Sequence, residues 1–139
     1  MINLLVKGWM AMRRDEYFEK LLEVIEELKI EAEEKPIIVE GKRDVESLEK
    51  LGVEGTFIII AKTPIYLIAD ELVRKRVKEV ILLTDFDRRG RMLAKAIIEE
   101  FRHRGIKVNT KIRHEIFIYT NSGIRDIESL FSYVNKRLF

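Results

Sequence analysis

Four short, almost wholly apolar runs punctuate this chain, and the stretches between them repeat apolar residues at steps of three and four. The runs fall at residues 36–40, 56–61, 80–84 and 106–108. Such runs, apolar without alternation, are the pattern of strands buried on both faces. Residues 15–30 place Phe18, Leu21, Leu22, Ile25 and Leu28 on one side and predict an amphipathic helix with an acidic outer face. Pro36 opens the first strand. Asp44 is expected to cap a helix over residues 45–51, with Gly52 just past its end. Thr63 and Pro64 read as an N-cap and first helical residue, opening a helix to about residue 75. Residues 89–104 carry Leu93, Ile97, Ile98 and Phe101 inward and stop at Gly105. Residues 116–119 read as a further, shorter extended run. Residues 127–138 form a last helix with Leu130, Phe131 and Val134 on one side. Strands alternating with helices predict an α/β fold: a parallel sheet of about four strands flanked by helices. Residues 1–34 are expected to be a helical segment packed on a body formed by residues 35–139.

Composition changes this picture in three places. The chain has 139 residues, 47% hydrophobic and 36% charged, so it makes one domain with a true core and a more charged surface than the roughly 25% of an average protein. Cys is absent, which excludes disulfides and thiolate metal sites. The net charge of +2 hides an asymmetry: residues 1–34 hold 5 Lys+Arg against 9 Asp+Glu, and the remainder holds 21 against 15. A basic body behind an acidic lead-in helix fits a nucleic-acid partner. No apolar run approaches the roughly 18 residues of a membrane span, and the N-terminus is too short and poorly flanked for a signal peptide. A cytoplasmic protein with no membrane partner is therefore expected.

The chemistry is concentrated at two strand ends. Glu40 closes the first run and is followed by Gly41. Asp85 and Asp87 close the third, with Gly90 three residues on. In open α/β sheets, ligands bind outside the carboxyl ends of the strands, so the three carboxylates are expected at one rim. Converging carboxylates are costly unless a cation joins them, and all-oxygen donors suit Mg²⁺, for which Mn²⁺ can substitute. Phe86 is placed to anchor the turn between the aspartates. Each acid also has a plainer reading: Asp87 as a helix cap, Asp85 as a solvated strand end, Glu40 as an ordinary strand terminus.

The segments Ile38-Val39-Glu40-Gly41-Lys42-Arg43-Asp44 and Leu83-Thr84-Asp85-Phe86-Asp87-Arg88-Arg89-Gly90 resemble the glutamate and Asp-x-Asp motifs of the Toprim domain. That module is shared by topoisomerases, bacterial-type primases, OLD-family nucleases and M5 ribonucleases. The resemblance runs from about Lys35 to the C-terminus and implies a Rossmann-like fold. It further implies that Asp85 and Asp87 are Mg²⁺ ligands, with Glu40 either a ligand or a general acid/base. Gly123-Ile124-Arg125-Asp126-Ile127-Glu128 is loosely similar to an acidic motif of M5-like members. Asp126 is therefore a possible additional ligand, or equally a helix N-cap, and Glu128 a first-turn dipole partner.

Around the rim, Gly41, Lys42, Arg43, Arg88, Arg89 and Gly90 are the candidate phosphate-binding set, with Arg91 beside them. Arg forks and free helix N–H groups favour phosphate oxygens. The basic run at residues 74–78 lies at the opposite end of the third strand and is expected to face away. His103 and His114 have no predicted place at the rim. The length leaves no room for a topoisomerase's nucleophile domain or an OLD-type ATPase. The expected function is an Mg²⁺-dependent attack on nucleic-acid phosphodiesters by a small nuclease. The alternatives are a non-catalytic binding module serving a partner protein and a small-molecule phosphotransfer enzyme. RNA versus DNA and oligomeric state are not legible.

Overall fold

The structure is a computed structural model that describes residues 2–138, with side chains from residue 16 onward. Met1 and Phe139, the predicted outer limits of the two segments, lie outside the described residues. Helix α1 (Ile2–Glu31) leads into β1 (Ile37–Val39), α2 (Lys42–Lys50), β2 (Phe57–Ile59) and α3 (Ile65–Arg74). Then follow β3 (Glu79–Leu83), α4 (Arg88–His103), β4 (Lys107–Asn109) and α5 (Lys111–Tyr119). A 3-10 turn (Ile127–Ser129) runs directly into α6 (Leu130–Leu138).

The four strands form one parallel sheet in the order β2-β1-β3-β4. Ile38 pairs with Leu82 and Val39 with Leu83, so β1 and β3 end side by side. The continuous apolar runs are explained by two cores. Ile37, Val39, Ile81 and Leu83 point to one face, where Leu21, Val24, Ile25 and Leu28 of α1 meet α2, α5 and α6. Ile38, Val80 and Leu82 point to the other, against Ile68, Ala69 and Leu72 of α3 and Ala94, Ile97 and Phe101 of α4. Alternate residues of β1 and of β3 from Val80 on thus have a buried place on either side, and a polar residue there would have none.

Some local readings are corrected. Residues 116–119 are not extended but close α5; Ile112 and Ile116, four apart, are both fully buried against the sheet. Asp44 is not the N-cap of α2. Gly41 holds that position, and Asp44 lies three residues into the helix with its Oδ2 accepting from the Gly41 N–H at 2.9 Å. Pro64 is itself the N-cap of α3.

Among the described residues, one hydrogen bond ties helix α2 to the C-terminal segment. The Phe131 N–H donates to Oγ of Ser47, a residue only 4% exposed, at 3.0 Å. Ser47→Ala leaves that N–H without its acceptor and is expected to cost about 1 kcal/mol in urea unfolding. An unchanged midpoint would show the contact to be neutral.

Candidate metal and nucleic-acid site

The strand order creates a reversal of winding between β1 and β3, because β2 lies on the far side of β1. Ligand crevices in open α/β sheets form at such a switch point. Glu40 follows β1 directly, and Thr84-Asp85-Phe86-Asp87 follows β3. The acidic residues singled out in the sequence therefore flank the one crevice the topology provides.

The geometry joins Glu40 to Asp85 first. Oε2 of Glu40 accepts the Asp85 N–H at 2.6 Å, so the glutamate side chain spans from β1 to β3. Oδ1 of Asp85 accepts the Ile127 N–H at 3.1 Å, linking the rim to the 3-10 turn. Asp87 caps α4, its Oδ1 accepting the Gly90 N–H at 2.7 Å. Asp126 caps the 3-10 turn, with its Oδ1 accepting from the Ser129 N–H at 2.9 Å and the Ser129 hydroxyl at 2.5 Å. The capping alternatives for Asp87 and Asp126 thus hold structurally. Phe86 is buried, as its anchoring role required, with its ring 5.2 Å from that of Phe117.

Sequence reasoning missed two participants. Asp44, read only as a cap, is 4% exposed; burial raises its carboxyl above the ordinary 3.8, and Glu40, Glu128 and Asp126 push the same way. Arg113 is the second. Its Nε donates to the Thr84 carbonyl at 2.8 Å and its Nη2 to the Asp85 carbonyl at 2.5 Å. The guanidinium lies 5.2 Å from the Phe86 ring centroid. Arg91 takes the next carbonyl, Nη1 to Phe86 O at 2.9 Å. Two arginines thus hold three successive carbonyls of the Asp-x-Asp turn, fixing the direction of its side chains. Arg113 was invisible from sequence because residues 109–115 carried no assignment and the end of its helix, residues 116–119, read as extended; a helical reading of residues 111–119 would have turned it toward β3.

The electrostatics are one-sided. Burial, reinforced by Glu40, Asp44 and Asp126, pushes the Asp85 carboxyl up from 3.8 to about 7, against the lowering effect of the Ile127 N–H. Among the described residues, no Lys, Arg or His lies within ion-pair distance of the Glu40, Asp44, Asp85, Asp87, Asp126 or Glu128 carboxylates. Arg113 is directed at carbonyls instead.

The surrounding cations are correspondingly unengaged. Lys42 and Arg43 in the first turn of α2, and Arg88 and Arg89 in that of α4, are exposed and make no ion pair among the described residues. At the opposite end of the sheet, Lys35 pairs with Glu31 and Glu79, Arg74 and Lys75 with Glu71, Arg104 with Asp70 and Glu100, and Lys107 with Glu79. His103 pairs with Glu99 at 3.1 Å, and His114 is exposed on α5. The two glycines differ. A Cβ on Gly41 would meet nothing within 4 Å, which leaves its backbone open to a ligand, whereas one on Gly90 would lie 1.9 Å from the Asp85 carbonyl oxygen.

A divalent cation fits this donor set. The oxygens are hard, none of these carboxylates is ion-paired among the described residues, and Mg²⁺ needs only one or two carboxylates with water completing its shell. Among the described residues no group of three His, Cys, Asp or Glu is already gathered in metal-binding geometry.

An α/β protein with an acidic crevice at its switch point and unpaired cations around it belongs to a recognisable class. The Toprim domain family matches residues 35–118, and the chain belongs to that family. It is 42% identical over 126 residues to a UPF0292 protein of Methanosarcina acetivorans, across 87% of each chain. A UPF0292 protein of Thermococcus gammatolerans is 35% identical over 121 residues, across 87% of this chain and 88% of that one. Among solved structures, an Aquifex aeolicus protein is similar with a TM-score of 0.66 and 28% identity, covering 77% of this chain and 94% of that one. Family membership points to a metal-dependent function concerned with nucleic acid. No helix of the described residues is long and apolar enough to cross a membrane.

Proposed function

We propose that Asp85 and Asp87, with Glu40, hold Mg²⁺ or Mn²⁺ and that the protein cleaves nucleic-acid phosphodiester bonds as a small nuclease. The observation that carries this reading is the charge separation at the rim: carboxylates at its centre that no side chain pairs among the described residues, Arg113 being spent on carbonyls, and exposed cations around it that make no ion pair among the described residues. A bound cation supplies charge neutralisation at the phosphoryl oxygen and a more acidic water. The chain's residues do the rest. Arg88, Arg89, Lys42 and Arg43 receive the backbone phosphates; Gly41 leaves room for the close approach of one of them. Arg91 and Arg113 keep the Asp-x-Asp turn rigid. Glu40 orders Asp85 by accepting its backbone N–H and would serve as the general acid/base.

A second reading is favoured by that same Glu40 contact. With Oε2 engaged by the Asp85 N–H, half of the carboxylate is committed to structure. The site would then dock a phosphate through the cation without chemistry of its own, a partner protein supplying the reaction.

The test is a panel of labelled RNA and DNA incubated with Mg²⁺ or Mn²⁺. Replacing Arg88 and Arg89 by Ala is expected to weaken binding across all sequences and lower the salt slope by about 2. Glu40→Gln is expected to keep binding and lose cleavage, by at least about 100-fold. A wild type that binds but never cleaves, indistinguishable from Glu40→Gln, leaves the docking module.

A further inference from the structure

Beside the rim, the seam between α2 and the C-terminal helical segment opens as a groove of about 320 Å³. That is the lower end of the range for ligand sites. We infer that this groove seats one unpaired nucleotide of a single-stranded nucleic acid, next to the phosphate held at the rim. The inference rests on the reading of the rim as a phosphodiester site and names the form of its substrate.

Position comes first. The groove runs along the face of α2 bearing Arg43, Ser47 and Lys50, opposite Ser129, Phe131 and Ser132. Its far wall begins at the 3-10 turn whose Ile127 N–H holds Asp85, so groove and rim share a boundary. Arg43 stands in the first turn of α2, at the rim. Lys50 is seven residues on, about 10 Å further along the helix axis.

The chemistry of the lining changes along that length. Glu46 lies three residues after Arg43 and four before Lys50, where helical ion pairs ordinarily form. Among the described residues neither pair forms, so neither cation is neutralised by a carboxylate at the two ends. Beside Lys50, Phe131 is half-buried, with the Lys50 Nζ 5.6 Å from its ring centroid. A base stacked on that ring would displace the ammonium and release it to a phosphate. Glu128, in the 3-10 turn at the rim, and Glu46, midway between the two cations on α2, also line the groove, and Glu46 would repel a phosphate in its middle. Their carboxylates, with the Ser129 and Ser132 hydroxyls, suit the N–H donors on a base edge instead. The middle therefore fits a base and the ends fit phosphates. A paired base keeps its edge occupied and its faces stacked, so only an unpaired nucleotide can use all three features.

The experiment compares one fluorescein-labelled oligonucleotide as a single strand and annealed to its complement, by anisotropy in Mg²⁺. Wild type is expected to bind the single strand at least about tenfold tighter, with one base–aromatic stack alone accounting for about fivefold or more. Phe131→Ala should lose that stacking share for the single strand and leave duplex and Mn²⁺ affinity unchanged, and Phe131→Tyr should restore it. Lys50→Glu, at an exposed position that does not threaten the fold, should weaken single-strand binding as well. Equal affinity for both forms in wild type overturns the inference. So does unchanged single-strand binding in the Phe131→Ala and Lys50→Glu variants, which would leave the groove to a peptide. Single-strand preference that depends on Phe131, in a protein that binds no metal, would uphold the groove and remove the metal reading. Metal binding through Asp85 without that preference would do the reverse.

Discussion

Gly90→Ala is expected to destabilise the fold more than any other single substitution at the rim. In a helix such as α4, alanine normally gains up to about 1 kcal/mol over glycine. Here the added Cβ would sit 1.9 Å from the Asp85 carbonyl oxygen, 2.5 Å from its carbon and 3.0 Å from its Cα. These are backbone atoms held by the Arg113 fork and by the Glu40 carboxylate, so they cannot yield as a flexible side chain would. Helix α4 has to move off β3, breaking the Thr84 hydroxyl to Gly90 carbonyl bond of 2.9 Å and the Asp87 cap together. The expected cost is at least about 3 kcal/mol, the upper end for overpacking a tight site. Urea unfolding reads it directly. Gly41→Ala is the control: its Cβ meets nothing, its φ of −147° is extended, and stability should be unchanged. A Gly90→Ala protein as stable as wild type would mean that helix and strand end are not in contact as described.

The second large effect is on pH dependence. Native Asp85 keeps its proton up to about pH 7, whereas the unfolded chain releases it near the ordinary 3.8. Between those values the native state binds more protons than the unfolded state, so this group lowers stability as pH rises through the window. Above about pH 7 both states are ionised and the loss is complete. The groups that set the shift are Glu40, Asp44 and Asp126 together with burial, while Arg113 stands close by, directed at carbonyls. Metal-free protein is therefore expected to melt at lower temperature at pH 8 than at pH 5. Asp85→Asn should flatten that slope and raise the melting temperature at pH 8. A saturating divalent cation should stabilise wild type at pH 8 by about 2.7 kcal/mol at a hundred times its dissociation constant, and leave Asp85→Asn unmoved. A wild type more stable at pH 8 than at pH 5, with Asp85→Asn following the same curve, would remove the strained carboxylate.

The strands and their rim were legible because both-face burial leaves uninterrupted apolar runs, and the acids that end them stand out against those runs. The family motifs at Glu40 and at Asp85-Phe86-Asp87 lie on those same strand ends. The strand order was not legible, since nothing in the residues says on which side of β1 the next strand docks. The crevice between β1 and β3 follows from that order alone. Helix α5 was misread because Ile116-Phe117-Ile118-Tyr119 is β-branched and aromatic. Its tertiary place between the sheet and α1 overrides that local preference, burying Ile112 and Ile116 one turn apart. Arg113 went unnoticed with it. Asp44 was placed in the right turn of the right helix but read as a cap. Its raised carboxyl reflects burial first and then repulsion from acids that include Glu128 and Asp126, residues more than eighty positions later in the chain.

The central claim is that Asp85 and Asp87 bind a divalent cation, and a Mn²⁺ titration followed by electron paramagnetic resonance at pH 8 tests it most directly. Wild type is expected to bind, and the protein carrying both Asp85→Asn and Asp87→Asn to lose at least about 100-fold in affinity, beyond the range of outer-sphere changes. The same affinity in both proteins, with both folded, would contradict the account.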